Sequence, residues 1–458
     1  MKDKQVKGYS GFNTKIGVVL AAAGSAIGLG NIWKFPYIMG ENGGGAFLLV
    51  YLICVLLLGL PLMLTEFLLG KKSGMSAFGA FRAISGNNHW QWLSWWCTIS
   101  TMLYLTFYFV VASLCGNYLY EAITNAYIGK GAEELSMHFK TIISNESRMT
   151  IFVLLQVIVA DIVLWFGVDK GLERLSKILM PMLLILMVVM IVFVLIQDGS
   201  TYGLQYMFNF DFSKITPQAI MMAVGQCFFS LSVGAGMMVI FGAYMPKRQN
   251  IATTSIMVVV LDTLVALLAG FIIFPAVFAF GFSPSEGPQL VYVVLPTVFQ
   301  KMSFTWLCGV MFFLLLFIAA MTSTVAILEV LVANSIEASH NKLKRRNAII
   351  ISSVITFILS ELCVLSLSGK WGEFKIAGND MFKCLDLLIT AFLLPIGALC
   401  MSQFVGWFMP KQNKKSFWQS AFIFILRWIV PIALIFILLN GFGLLDGLFN
   451  CKHTVNHV

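Results

Sequence analysis

Ser25-Ala26-Ile27-Gly28-Leu29-Gly30 and Ser232-Val233-Gly234-Ala235-Gly236 each interrupt a membrane-length apolar run, one in each half of the chain. Two glycines within three residues weaken a helix. A broken turn inside a bilayer also frees backbone N–H and C=O groups that must find partners. Such a break survives only where it lines a cavity, so the pair marks the centre of the molecule. Neither stretch has GxGxxG spacing or a preceding βαβ pattern, which excludes a nucleotide-binding reading of the glycines.

Of the 458 residues, 59% are hydrophobic and 11% charged, which excludes a water-soluble globule and predicts an all-α polytopic membrane protein. Runs of about 20 apolar residues suffice to span the hydrocarbon. Eleven are read, at about 14–37, 44–70, 92–120, 150–167, 174–197, 216–243, 251–281, 304–336, 347–367, 386–408 and 420–445. The gap at about 121–149 reads as an outside loop, and the whole chain, 1–458, reads as one membrane domain. Spans 1–5 (14–198) and 6–10 (216–408) read as two repeats. An odd number of spans in each makes the second enter from the opposite face, and 420–445 is an extra eleventh helix.

The net charge of +9 does not imply nucleic acid. Its lysines and arginines gather in alternate loops: Lys2, Lys4, Lys7 and Lys15; Lys71, Lys72 and Arg82; Lys170, Arg174 and Lys177; Lys247 and Arg248; Lys342, Lys344, Arg345 and Arg346; Lys411, Lys414 and Lys415. By the positive-inside rule the N-terminus is cytoplasmic and Val458 lies outside, as in a plasma (inner) membrane protein. The nine cysteines form no CxxC pair, and seven lie in predicted spans, so neither a metal cluster nor a disulfide framework is indicated. The first span reads as retained, with no cleavable signal ahead of it.

Gly24-Ser25-Ala26-Ile27-Gly28-Leu29-Gly30-Asn31-Ile32-Trp33-Lys34-Phe35-Pro36-Tyr37, followed by Glu41-Asn42-Gly43-Gly44-Gly45-Ala46-Phe47, resembles the signature of the neurotransmitter:sodium symporter family. The likeness continues in Gly59-Leu60-Pro61-Leu62, Gly225-Gln226-Cys227-Phe228-Phe229-Ser230-Leu231-Ser232 and Thr322-Ser323-Thr324, and so covers essentially the whole chain. Length and eleven spans point to its bacterial amino acid branch. The resemblance implies an inverted five-plus-five repeat with helices 1 and 6 broken at the binding site, an arrangement whose general statement draws on this same family. It implies a sodium-coupled transporter of a hydrophobic or aromatic L-amino acid, not an enzyme.

By that resemblance one sodium is held by Ala26, Asn31, Ser230 and Asp262, and a second by Gly24, Ile27, Ala319, Thr322 and Ser323. All offer oxygens, as a hard cation demands. Membrane-helix hydroxyls such as Thr322 and Ser323 also commonly bond back to their own helix. Asp262, about a dozen residues into an apolar span, is costly there without a cation or partner. Its carboxylate stands where chloride-dependent animal relatives rely on a bound anion. Chloride is therefore not expected, and proton counter-transport follows if Asp262 is protonated on the empty return.

The substrate carboxylate is expected at the N–H groups of Leu29 and Gly30 and at the Tyr108 hydroxyl. The amino group is expected at carbonyls of Ala26, Phe229 and Ser230. Tyr104, Phe229, Ser232, Ala235, Ser323 and Ile327 line the side-chain pocket, where the small Ala235 leaves volume. Lys34 and Asp386 match the outer gate, with Gln226 nearby, and Tyr244 and Glu337 the inner one. The inner gate's basic partner is missing at Tyr9, with Lys7 as a substitute. Glu66 is read as a brace for a broken helix, while Asp161, Glu121, Glu329 and Glu361 carry no assigned role. Rival readings are an amino acid sensor, which has no soluble domain to signal with, and a channel, which charged gates at both ends argue against. The sequence leaves the oligomeric state open.

Overall fold

In a computed structural model, the structure describes residues 11–283, 290–302, 304–370, 375, 379–409 and 417–441. Lys7, Tyr9 and the chain beyond Gly441 lie outside them. The fold is all-helical. Among the described residues nine helices are long and apolar enough to cross a membrane: α3 (Gly45–Ser73), α5 (Gln91–Ile123), α7 (Glu146–Trp165), α8 (Val168–Leu195), α12 (Ile251–Ala279), α14 (Thr305–Ala338), α15 (Arg345–Leu367), α16 (Met381–Phe408) and α17 (Phe417–Leu439). A tenth span is broken into α1 (Lys15–Ala26) and α2 (Gly30–Glu41), which meet at 51°. The second interrupted run forms α10 (Pro217–Ser230) and α11 (Met237–Ala243), parted by six residues.

Shorter helices sit in the loops, among them α4 (Ala77–Ser85), α6 (Ala132–Ser144), α9 (Ser200–Met207) and α13 (Leu290–Lys301). The loop at 121–149, expected outside, thus contains a helix. Its acidic first turn, Glu133 and Glu134, suits the positive end of a helix dipole, while Leu135 and Ile142 are buried.

Proline shapes the spans from within. Six helical turns widen to five-residue hydrogen bonding just ahead of one in the sequence: Gly30–Lys34 before Pro36, Val55–Gly59 before Pro61, Leu290–Val294 before Pro296, Leu388–Leu393 before Pro395, Phe404–Phe408 before Pro410 and Ile425–Ile429 before Pro431. Proline has no N–H and its ring crowds the carbonyl four residues back, so the ladder slips by one residue.

The long helices α5 and α14 pack together as the central pair. Half-helix α1 lies against α14, α12 and α8, and the two halves of the second broken span lie against α3. Both breaks are thereby enclosed among α3, α5, α12 and α14, which supply the remaining polar side chains of the site.

Candidate functional site

The first break is held by side chains because its own ladder is lost. Gly28 N–H donates to Asn31 Oδ1 at 3.1 Å, and Leu29 N–H donates to the Tyr108 hydroxyl at 3.1 Å. A Cβ on Gly28 would run into the Tyr108 hydroxyl and the Ser323 Oγ, so only glycine lets these groups close on the turn. The second break is sharper. Ser232, Gly234 and Gly236 all have positive φ, at 52°, 105° and 72°. Glu66 of α3, 1% exposed, accepts from Gly234 N–H at 2.7 Å and Met238 N–H at 2.8 Å. Ser232 Oγ donates to the Ser25 carbonyl at 3.0 Å and so ties one break to the other.

Asn31 Nδ2 donates to Ser230 Oγ (2.9 Å), to the Asp262 carbonyl (3.0 Å) and to Asp262 Oδ1 (2.8 Å), while Ser230 Oγ donates to Asp262 Oδ2 at 2.8 Å. All these groups are buried, Asp262 completely. Asn31, Ser230 and Asp262 therefore meet from three different spans, and buried Ala26 lies in the same broken turn. Tyr51 of α3, fully buried, also faces Ser230 and Asp262. A tyrosine among apolar neighbours gave no sign of that in the sequence.

On the other side of the first break, Ser323 Oγ lies 3.1 Å from both the Gly24 and the Ile27 carbonyls. Thr322 Oγ1 lies 3.1 Å from the Ala319 carbonyl and 3.2 Å from that of Ile318. Thr322 bonds back within its own helix, as hydroxyls in such spans do, but one carbonyl it meets belongs to the same set. Gly24, Ile27, Ala319, Thr322 and Ser323 form a second group of oxygens.

Tyr104 stacks on Tyr108, with centroids 5.8 Å apart, and leans on Phe229 at 5.5 Å. Ala235 and Ile327 are wholly buried, and Thr101 of α5 donates to the Ala235 carbonyl at 3.3 Å. Above them Lys34 Nζ sits 4.6 Å over the Phe229 ring and 3.4 Å from Asp386 Oδ1. Gln226 donates to the Gly30 carbonyl at 2.7 Å.

At the opposite end Tyr244 and Glu337 are not brought together. Glu337 accepts from Ser76 N–H (2.8 Å), Ser76 Oγ (2.6 Å) and Gly79 N–H (2.9 Å), and so satisfies the start of α4. Tyr244 instead donates to Glu329 at 2.8 Å, and Arg345 grips both oxygens of that carboxylate at 2.9 and 2.5 Å. Phe12 N–H donates to the Tyr244 carbonyl at 3.1 Å, bringing the first segment to the same point. Glu329 was visible in the sequence as an acid in an apolar span, but its partners lie on two other helices. The remaining acids also have partners: Glu121 with Arg148 and His138, Asp161 with Ser353, and Glu361 with Thr150.

Two broken spans back to back, with buried oxygens on both sides of the breaks and charged groups at each end, define a secondary transporter of the inverted-repeat class. The chain belongs to the sodium:neurotransmitter symporter family, whose model matches residues 10–131 and 127–442. It is 35% identical over 444 residues to an uncharacterized sodium-dependent transporter of Bacillus subtilis, YhdH, covering 94% of this chain and 98% of that one. It is 31% identical to an uncharacterized sodium-dependent transporter of Haemophilus influenzae, covering 94% and 97%. Among solved structures it is similar to MhsT in complex with L-phenylalanine, with a TM-score of 0.86 and 35% identity over 95% of this chain and all of that one. The protein is a sodium-dependent multi-pass membrane transporter and not an enzyme.

Proposed function

We propose that the protein imports a hydrophobic or aromatic L-amino acid together with sodium, by alternating access across the plasma (inner) membrane. The observation that carries this reading is the meeting of Leu29 N–H and the Tyr108 hydroxyl in the same broken turn from which Asn31 reaches Ser230 and Asp262. The hydroxyl accepts from Leu29, so its own hydrogen is free for a carboxylate, and the N–H of Gly30 completes an anion cradle. Carbonyls of Ala26, Phe229 and Ser230 take the ammonium. Tyr104, Phe229, Ser232, Ala235, Ser323 and Ile327 surround an apolar side chain, which agrees with the L-phenylalanine bound by MhsT.

Two sodium ions travel with it. One occupies Ala26, Asn31, Ser230 and Asp262, beside the substrate carboxylate. The other occupies Gly24, Ile27, Ala319, Thr322 and Ser323. The first requires Asn31 to turn its amide oxygen away from Gly28 N–H and toward the cation, which remakes the broken turn as the ion enters. A contact shared by sodium and substrate couples their affinities reciprocally. The Asp262 carboxylate removes the need for chloride, and its protonation on the return carries a proton outward.

Every residue of the solute pocket is buried, so loading requires one end to open. Lys34, Asp386, Phe229 and Gln226 gate the outside, while Tyr244, with Glu329 and Arg345, latches the inside, and Glu337 steadies α4 beside it. The N-terminus is cytoplasmic and the C-terminus outside. The transporter unit comprises repeats at 14–198 and 216–408, with 420–445 appended. The test is uptake of a panel of radiolabelled L-amino acids into proteoliposomes with and without an inward sodium gradient. Sodium-driven accumulation of an apolar or aromatic amino acid, unchanged when gluconate replaces chloride, is the expected result. Sodium-dependent binding without accumulation would overturn transport in favour of sensing.

A further inference from the structure

A second cavity opens on the membrane-facing side, apart from the ion and solute sites. It has a volume of about 310 Å³ and lies between Gly116 and Tyr120 of α5, Phe152 and Val159 of α7, and Phe317 of α14. Among its walls is one buried polar side chain, Gln156, 3% exposed. Its Nε2 donates to the Ala112 carbonyl at 3.1 Å. A carbonyl only accepts, so the amide cannot be turned round, and Oε1 is fixed as the free end. That oxygen is buried with no partner among the described residues. An acceptor left so is destabilising, and the side chain that carries it forms part of the cavity wall.

The occupant's chemistry follows from the surroundings. Leu155, Val159, Tyr120 and Ile123 at the rim are exposed on the faces that meet acyl chains, so entry is from the bilayer. Water in a buried site needs two to four polar partners, and these walls are otherwise apolar. Gln156 lies ten residues into α7, about 15 Å below its first turn and so near the middle of the hydrocarbon. Phospholipids keep their donors at the headgroup and their acyl chains have none, so neither end of a phospholipid answers the glutamine. The volume is about twice that of a cavity which holds benzene.

We propose that this crevice binds a small neutral hydrophobe bearing a single O–H or N–H donor, such as an alcohol, a phenol or an indole dissolved in the bilayer, with Gln156 Oε1 as its acceptor. The full chain in lipid nanodiscs is photolabelled with a diazirine derivative of octanol, and the adducts are mapped by mass spectrometry. Adducts are expected within residues 116–123 and 152–159, competed by phenol about tenfold better than by toluene, the margin of one hydrogen bond. Gln156→Leu is expected to erase that preference. Val159→Trp fills the crevice from the lipid side, leaves the bond to Ala112 intact, and is expected to abolish labelling while sodium-driven uptake continues. The proposal is overturned by absence of adducts in these segments, by equal competition from toluene and phenol in the unaltered protein, or by labelling that persists in Val159→Trp.

Discussion

The two broken spans solve one problem in opposite ways. At the second break Gly234 and Met238 give their N–H groups to the buried carboxylate of Glu66. At the first, Gly28 and Leu29 give theirs to neutral groups, the Asn31 amide and the Tyr108 hydroxyl, and these are the groups proposed to face cation and substrate. A charged acceptor makes a strong, lasting clamp. A neutral one can be exchanged at small cost, so the first break is the one suited to being remade on each cycle.

The widest gap between the two breaks should appear on removing Glu66. Glu66→Ala leaves two buried N–H groups without acceptors, a loss on the order of 3–5 kcal/mol. Thermal unfolding in detergent is expected to show a large fall in midpoint, with poor recovery of folded protein. Glu66→Gln keeps one acceptor oxygen and should fall between. A Glu66→Ala protein of normal stability would mean that the second break is no more firmly clamped than the first.

Asp262→Ala comes next and should leave the fold standing. A carboxylate about 4 Å from a sodium ion contributes roughly 4 kcal/mol at an effective dielectric of 20, so sodium-dependent uptake should drop by about 10²-fold or more. Asp262→Asn keeps the shape without the charge and should make residual uptake depend on chloride. Sodium titrations in chloride and in gluconate read both effects. Tyr108→Phe is milder, removing one hydrogen bond to a charged group. It should raise the KM for substrate ten- to a hundredfold and leave the unfolding midpoint within a few degrees. A large fall in stability would give the first break the clamped character assigned to the second.

How much of this was legible in the sequence follows from how far each partner lies along the chain. The breaks themselves were readable, because glycine in an apolar run is a local signal. So was Asp262, an ionisable residue in an otherwise hydrophobic span, whereas the parts of Asn31 and Ser230 came from the family resemblance. The pairing of Tyr244 with Glu329 was not, since it depends on the angle at which α11 meets α14, and Arg345 arrives from α15. Glu337 is on the same helix two turns further on, so sequence could not say which acid faced Tyr244. The helices α4, α6 and α9 were missed because short amphipathic stretches in loops lack the continuous apolar run that betrays a span, and α13 because its apolar run is too short to cross the hydrocarbon.

The smallest expected effect is at the proposed outer gate, next to the first break. Lys34 touches Asp386 through one 3.4 Å contact, with the side chains 17% and 31% exposed, and such a pair contributes no more than about 1 kcal/mol. Lys34→Arg supplies a planar fork that can bind the carboxylate with two hydrogen bonds while lying flat over Phe229. It should favour the closed outer gate, lowering the KM by two- to fivefold and slowing turnover by a similar factor, because opening now breaks a firmer pair. Initial-rate kinetics of the two proteins side by side measure both quantities. If turnover is unchanged, opening of the outer pair does not limit the cycle, and the slow step lies at the Tyr244–Glu329–Arg345 end.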